Sequence, residues 1–297
     1  MKPGENISFF GGLHARLEAE PPHRTIALFK SAMYGFLLLN TLFLLPVSRE
    51  IWSADGWIHP LETPPSLWYR LVYLLMDAKI NPWYPAVVIL QLSGIALWFT
   101  KRFRILASVM IYLTTLILFA RAHLYITGGH TLLLMFLFYF IFMPDGKTSL
   151  QSNVLNNLFL LACKLQLIVV YLFAGLYKLQ GTHWLSGEAV YYVLHIREFS
   201  HPRLMEVFGE SRALGRMATW FALAYQLLFP VLVWFRKTKG PLLLAGALFH
   251  LYVAFGMGLP DFGIIMVLSY LMFVPNHFYQ GFTNSALLKR GKALIRS

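Results

Sequence analysis

A single cysteine, Cys163, stands in this chain, and it lies inside an apolar run. No disulfide can form within the chain, and neither a CxxC redox pair nor a thiolate metal cage can be built. The ten histidines never fall in an HxxxH or HExxH spacing, so no metal site is read. No GxSxG, phosphate loop or dinucleotide fingerprint occurs, which leaves hydrolase, nucleotide and nicotinamide chemistry without a handle. Internal repeats and low-complexity linkers are also missing. Residues 1–25 mix charges with Pro21 and Pro22 and show no short apolar core of a signal peptide, so the first hydrophobic span is expected to stay in the mature protein.

Charge is scarce as well, at 13% of residues, against 58% hydrophobic residues and a mean hydropathy of +0.59. This composition describes a polytopic membrane protein rather than a soluble domain. The 25 Phe, 15 Tyr and 8 Trp suit helices that touch lipid and anchor at its two interfaces. The net charge of +12 comes from cations in short loops beside hydrophobic spans, where the positive-inside rule accounts for them, so no nucleic-acid partner is expected.

Spans of roughly 20 apolar residues, fewer where helices shield one another, are predicted at 26–46, 85–100, 103–120, 131–143, 154–179, 214–235, 241–257 and 262–274. The expected fold class is all-α: a polytopic integral membrane helical bundle of about eight transmembrane helices plus short interfacial helices. Spans four and eight are short enough to be half-buried helices instead. Residues 1–25 form an N-terminal segment in which Phe9 and Phe10 near Arg16 suggest an interfacial stretch. Residues 26–275 form the membrane domain and 276–297 a basic tail.

Cations set the orientation. Fourteen Lys and Arg fall on the side of the N-terminus, among them Lys101, Arg102, Arg104, Arg236, Lys237 and Lys239, against nine on the other side, with Lys30 and Lys164 left aside inside spans. Both termini are therefore expected in the cytoplasm, and the segment 180–213 outside. Two long outer loops, 47–84 and 180–213, carry interfacial aromatics such as Trp52, Trp57, Trp68, Tyr69, Trp83 and Trp184. Within the second, 188–199 reads as a short helix, either lying on the bilayer or serving as an ordinary connector, capped by Ser186 and stopped by Pro202.

Lys178 is the most informative residue, since an amine at the end of a long apolar run is expensive. One reading has it snorkel to the headgroups, favoured by the helix macrodipole; the other makes it a functional group on the outer face. Gly175 is expected to leave space beside the amine and Gly181 to stop the helix. Lys164, about 21 Å deeper on nearly the same face, reads as an inner-leaflet snorkeller. His123 and His130 sit near the outer mouth of span four, whereas His250, nine residues past Pro241, is expected about 14 Å into the bilayer, near mid-depth. A membrane histidine is either a packing residue or one that binds an oxygen or relays a proton.

The segment AGLYKLQGTHWLSGEAVYYVL, 174–194, resembles the signature of the HTTM family, the membrane domain shared with vitamin K-dependent gamma-glutamyl carboxylase. RTIALFKSAMYGFLLLNTLFLLP at 24–46, GGHTLLLMFLFYFIFMP at 128–144 and LFHLYVAFGMGLPDF at 248–262 resemble further blocks of that family. The resemblance implies that Lys178 is a base that deprotonates a lipophilic quinol of the vitamin K type on the extracytoplasmic side. It makes His130 and His250 the membrane histidines that orient oxygens. It places Trp184, Gly175, Tyr177 and Arg121 beside the quinone. Tyr177 stands where the carboxylase carries a second lysine, and the carboxylase continues into a large β-rich lumenal domain with no counterpart after Pro275. A carboxylase-like lyase acting on a small peptide or lipophilic substrate is thus implied more than gamma-carboxylation of proteins.

The competing expectation is a non-catalytic accessory protein for maturation, export or immunity of a secreted peptide. Its long outer loops would then be the docking surface.

Overall fold

The computed structural model describes residues 9–53, 56–57, 83–146, 149–200, 211–276 and 278, and every regular element among them is helical. Helix α1 covers Phe9–Glu18 and α2 His23–Leu44. Pro46, which has no N–H and whose ring crowds the preceding turn, tightens the end of α2 into a 3-10 turn, Leu45–Val47, before α3, Ser48–Trp52. Helices α4, Tyr84–Phe99, and α5, Arg104–Arg121, form a hairpin. Its turn uses left-handed backbone at Lys101 and Phe103, with φ of 65° and 49°. Then come α6, Gly128–Ile141, and α7, Leu150–Lys178, whose cap Ser149 accepts from the Ser152 N–H at 3.2 Å.

Beyond α7 lie the short α8, Thr182–Leu185, and α9, Ala189–Leu194, followed by a 3-10 turn, Arg197–Phe199. The last three are α10, Arg212–Leu232, α11, Arg236–Phe255, and α12, Pro260–Ser269, the last extended by a 3-10 turn through Phe273. Each of the eight apolar stretches is helical; seven of the helices begin one to five residues before the predicted start, and α5 begins one residue after it. Arg212 and Arg236 each start a helix ahead of its apolar run, because backbone hydrogen bonding continues where side chains have already turned polar.

Four helices are long and apolar enough to cross a membrane: His23–Trp52, Arg104–Arg121, Leu150–Lys178 and Arg236–Phe255. Three shorter apolar helices, Tyr84–Phe99, Gly128–Ile141 and Pro260–Phe273, pack among them. Polarity is distributed inside out. Lys30, Asn40, Gln91, Thr115, His130 and His250 are buried, while Leu39, Phe43, Ile89 and Phe255 lie open on the surface. Such a surface suits lipid, and the interior polar groups then have to satisfy one another. Thr41 donates to Gln91 at 2.7 Å and Gln91 to Thr115 at 2.9 Å, which ties α2, α4 and α5 together.

Polar contacts gather at two ends of the bundle. At one, Lys30 pairs with Asp145 at 2.9 Å and donates to the Met143 carbonyl at 3.0 Å, Arg104 reaches Asp145 at 3.3 Å, and Thr25 donates to the Val274 carbonyl at 2.9 Å. Asn157 binds the Leu17 and Ala19 carbonyls there, docking the end of α1 on α7. At the other end, Asn40, Tyr125, His130 and Asp261 meet, and Arg121 donates to the Ser53 carbonyl. Between them a core of Phe29, Tyr34, Phe136 and Phe140 packs edge to face, at centroid distances of 5.2 to 5.7 Å.

The segment after α7 differs from its expectation. Ser186 does not cap a helix over 188–199; it ends α8, and its hydroxyl donates to the His183 carbonyl. Gly187, at φ of 81°, then turns the chain through left-handed backbone, so α9 starts only after Glu188. Pro202, Trp68, Tyr69 and the basic tail from 279 lie outside the described residues.

Candidate functional site

Lys178 is the last residue of α7, which keeps helical geometry to the edge of its apolar run before Leu179 and Gly181 end it. Its Nζ donates to the Ala174 carbonyl at 3.5 Å and lies 4.9 Å from the centre of the Trp184 ring. Gly181 makes this return possible, since a Cβ there would come within 3.0 Å of Trp184 Cδ1. Among the described residues no carboxylate pairs with the amine. Lys178 and Trp184, both half-buried, thus form a cation–ring pair at a helix end.

Gly175, Arg121 and Tyr177 each have contacts of their own. Gly175 does not open space beside the amine. It is the contact point of α10, where a Cβ would stand 2.7 Å from Leu227 Cδ2. Arg121 is nearly buried and holds the Ser53 carbonyl, clamping α3 to the end of α5. Tyr177 is 65% exposed, and its ring lies 6.1 Å from that of Phe173.

His250 lies in α11 five residues, about 8 Å, before the end of the helix. Its Nε2 is 2.7 Å from the Tyr171 hydroxyl, which in turn bonds that of Tyr270; Tyr270 and Tyr225 are 3.0 Å apart, and Tyr225 donates to the Leu242 carbonyl at 3.3 Å. Counting protons fixes the chain. Tyr225 gives its hydrogen to Leu242, Tyr270 gives to Tyr225 and Tyr171 to Tyr270, so His250 donates from Nε2–H. Its Nδ1 is then a buried acceptor without a hydrogen-bond partner. Gly246 makes room for the hydroxyls, because a Cβ there would overlap those of Tyr225 and Tyr270.

His130 occupies the third position of α6, below the cap Thr127. The Thr127 backbone N–H donates to His130 Nδ1 at 3.2 Å, and the Thr127 hydroxyl lies 3.0 Å from the same atom. A backbone N–H only donates, so Nδ1 is an acceptor and the neutral ring carries its proton on Nε2. That N–H points to Asp261 Oδ2 across 3.7 Å, longer than a hydrogen bond. Asp261 also accepts from Asn40 at 3.1 Å and from the Tyr125 hydroxyl. Burial and the Asp261 carboxylate push the Tyr125 hydroxyl well above its ordinary value, which keeps it a donor. Nearby, burial and the Arg121 charge hold the His123 imidazole below its ordinary value.

The three expected catalytic residues therefore do not share one contact. No hydrogen bond or ion pair among the described residues joins Lys178, His130 and His250. Tyr171 nevertheless lies seven residues before Lys178, about 10 Å down α7 and within about 20° of the same face, so the His250 network fixes the face that carries the lysine. Asp261, Asn40 and Tyr125 were not read as site residues. One signal for Asp261 was present: it is the single acidic residue of 211–297 in this sequence. No family model matches the chain, and no curated protein or solved structure matches it.

Proposed function

We propose that this chain is an eight-span, HTTM-like membrane protein whose outer end acts on a lipophilic quinol of the vitamin K type, with Lys178 as the base. The observation that carries the reading is the Lys178 amine, held under Trp184 at the end of an apolar helix with no acid partner among the described residues. A lysine locked in an ion pair is a poor base; one whose neighbours are an indole and a backbone carbonyl keeps its lone pair available when neutral.

The eight-span topology rests on the two polar ends. Lys30, Asp145, Arg104 and Thr25 gather at one and Asn40, Tyr125 and Asp261 at the other, as an alternating bundle with both termini on the cytoplasmic side requires. The residues around Lys178 fit a quinol in kind: an amine for a hydroxyl, and a flat apolar ring beside it. A bound quinone would supply the redox chemistry. Lys178 would take the hydroxyl proton on Nζ, Trp184 would exclude water from the amine, and Tyr171 with His250 would act as positioning residues through the fixed face of α7.

Oxidation of a reduced lipophilic naphthoquinone by dissolved dioxygen, with the full chain in vesicles, tests this. The wild type should exceed protein-free vesicles, and Lys178→Met should lower the rate by about 10²–10⁴-fold. Retained turnover in Lys178→Met would instead favour the accessory role in maturation or export of a secreted peptide.

A further inference from the structure

Lys164 stands inside the apolar span of α7, and its half-buried side chain reaches the end of the bundle at which α11 begins. Its Nζ lies 5.7 Å from the centre of the Phe273 ring. Phe273 directly precedes Val274, whose carbonyl takes the Thr25 hydroxyl at that end, and it packs against Trp234 at a centroid distance of 6.4 Å. Trp234 is 47% exposed. An open indole beside a helix start is the kind of residue that settles among lipid headgroups, and the Lys164 amine, at the end of its long stem, is drawn to the same level.

A second ammonium is close. Lys239, in the first turn of α11 and also half-buried, is near enough to Lys164 for the two charges to repel one another. The protein does not offset the pair. Asp145, which neutralises cations at this end, is taken by Lys30 and Arg104. Among the described residues no carboxylate pairs with Lys164 or Lys239, and the sequence after Asp261 holds no Asp or Glu. Arg236 and Lys237, both exposed, add two cations to the same turn, which has no acid and carries the positive end of the helix dipole. Like charges held together beside an apolar span cost free energy, and an anion placed between them removes that cost.

We infer that Lys164 and Lys239 bind the phosphate of an anionic phospholipid at the end of the bundle where α11 begins, with Arg236 and Lys237 on its outer side. Basic pockets between membrane helices recognise such headgroups by charge. A zwitterionic lipid would bring a cation of its own among these four, so net negative charge is the property that discriminates. The site lies about 21 Å along α7 from Lys178, and neither role depends on the other.

Native mass spectrometry of the full chain, titrated in detergent with dioleoylphosphatidylglycerol or dioleoylphosphatidylcholine, tests the inference. The wild type should hold its first phosphatidylglycerol about tenfold or more tighter than its first phosphatidylcholine. Lys164→Met and Lys239→Met should each weaken phosphatidylglycerol about fivefold, the worth of roughly one cation beside an anionic headgroup. Lys101→Met, which removes a cation from the exposed turn between α4 and α5, should change nothing, and unaltered phosphatidylcholine binding shows each variant to be intact. Equal binding of the two lipids by the wild type overturns the inference without relying on any variant. Equal losses in Lys101→Met and Lys164→Met overturn it in favour of a diffuse surface field, and displacement of the bound lipid by glycerol phosphate overturns it in favour of a soluble phosphate.

Discussion

Lys30 shows how much rests on single polar groups inside this bundle. Its ammonium is fully buried and is neutralised by Asp145, which also serves Arg104. Asp145→Ala would strand that cation, at a cost of about 3–5 kcal/mol, whereas Lys30→Met with Asp145→Asn should recover most of the loss. Thermal unfolding in one detergent checks the pair, and equal midpoints for single and double variants would refute it. At Gly246, an alanine should force the Tyr225 and Tyr270 hydroxyls apart and cost ~1–3 kcal/mol, with partial relief when Tyr225→Phe removes one of them. Additive losses in that double variant would show that the overlap is not the cause. Lys178, His130 and His250 stand out in the sequence because each is a polar side chain in an apolar run. Asp261 and Asn40 were not legible as a site. Their role arises only when α2 and α12, more than 200 residues apart, bring them together.

At the level of elements, Gly175 is a packing residue between α7 and α10. Gly175→Ala would press on the flexible end of Leu227, so a modest cost of about 1 kcal/mol is expected, and Leu227→Ala should relieve it. A measured loss that persists in that double variant would place the glycine's role elsewhere. Helix positions were legible because each long apolar stretch has to satisfy its backbone internally in lipid. Their starts were less so, because Arg212 and Arg236 are helical and polar at once. The start of α9 was legible to within one residue, whereas its end at Leu194, short of the expected 199, was not, because hydropathy does not separate it from the 3-10 turn that follows.

For the whole molecule, the proposed eight-span alternating topology makes a direct prediction that the single cysteine simplifies. With Cys163 replaced by alanine, a cysteine at the exposed Thr182 should react with a membrane-impermeant reagent added to intact cells, and one at the exposed Lys237 only after permeabilisation. The reverse pattern would invert the bundle. The inside-out distribution of polarity, with Phe43 at 82% exposure while Lys30 is covered, was legible only in part, since composition announces a membrane chain but not which polar groups face one another. The central claim concerns the amine at the outer end, and one comparison tests it most directly: quinol turnover by Lys178→Arg beside Lys178→Met in the same vesicles. Arginine keeps the cation but cannot act as a base, so the account predicts that both variants lose about 10²–10⁴-fold. Turnover close to wild type in Lys178→Arg would mean that position 178 supplies charge alone, and would contradict it.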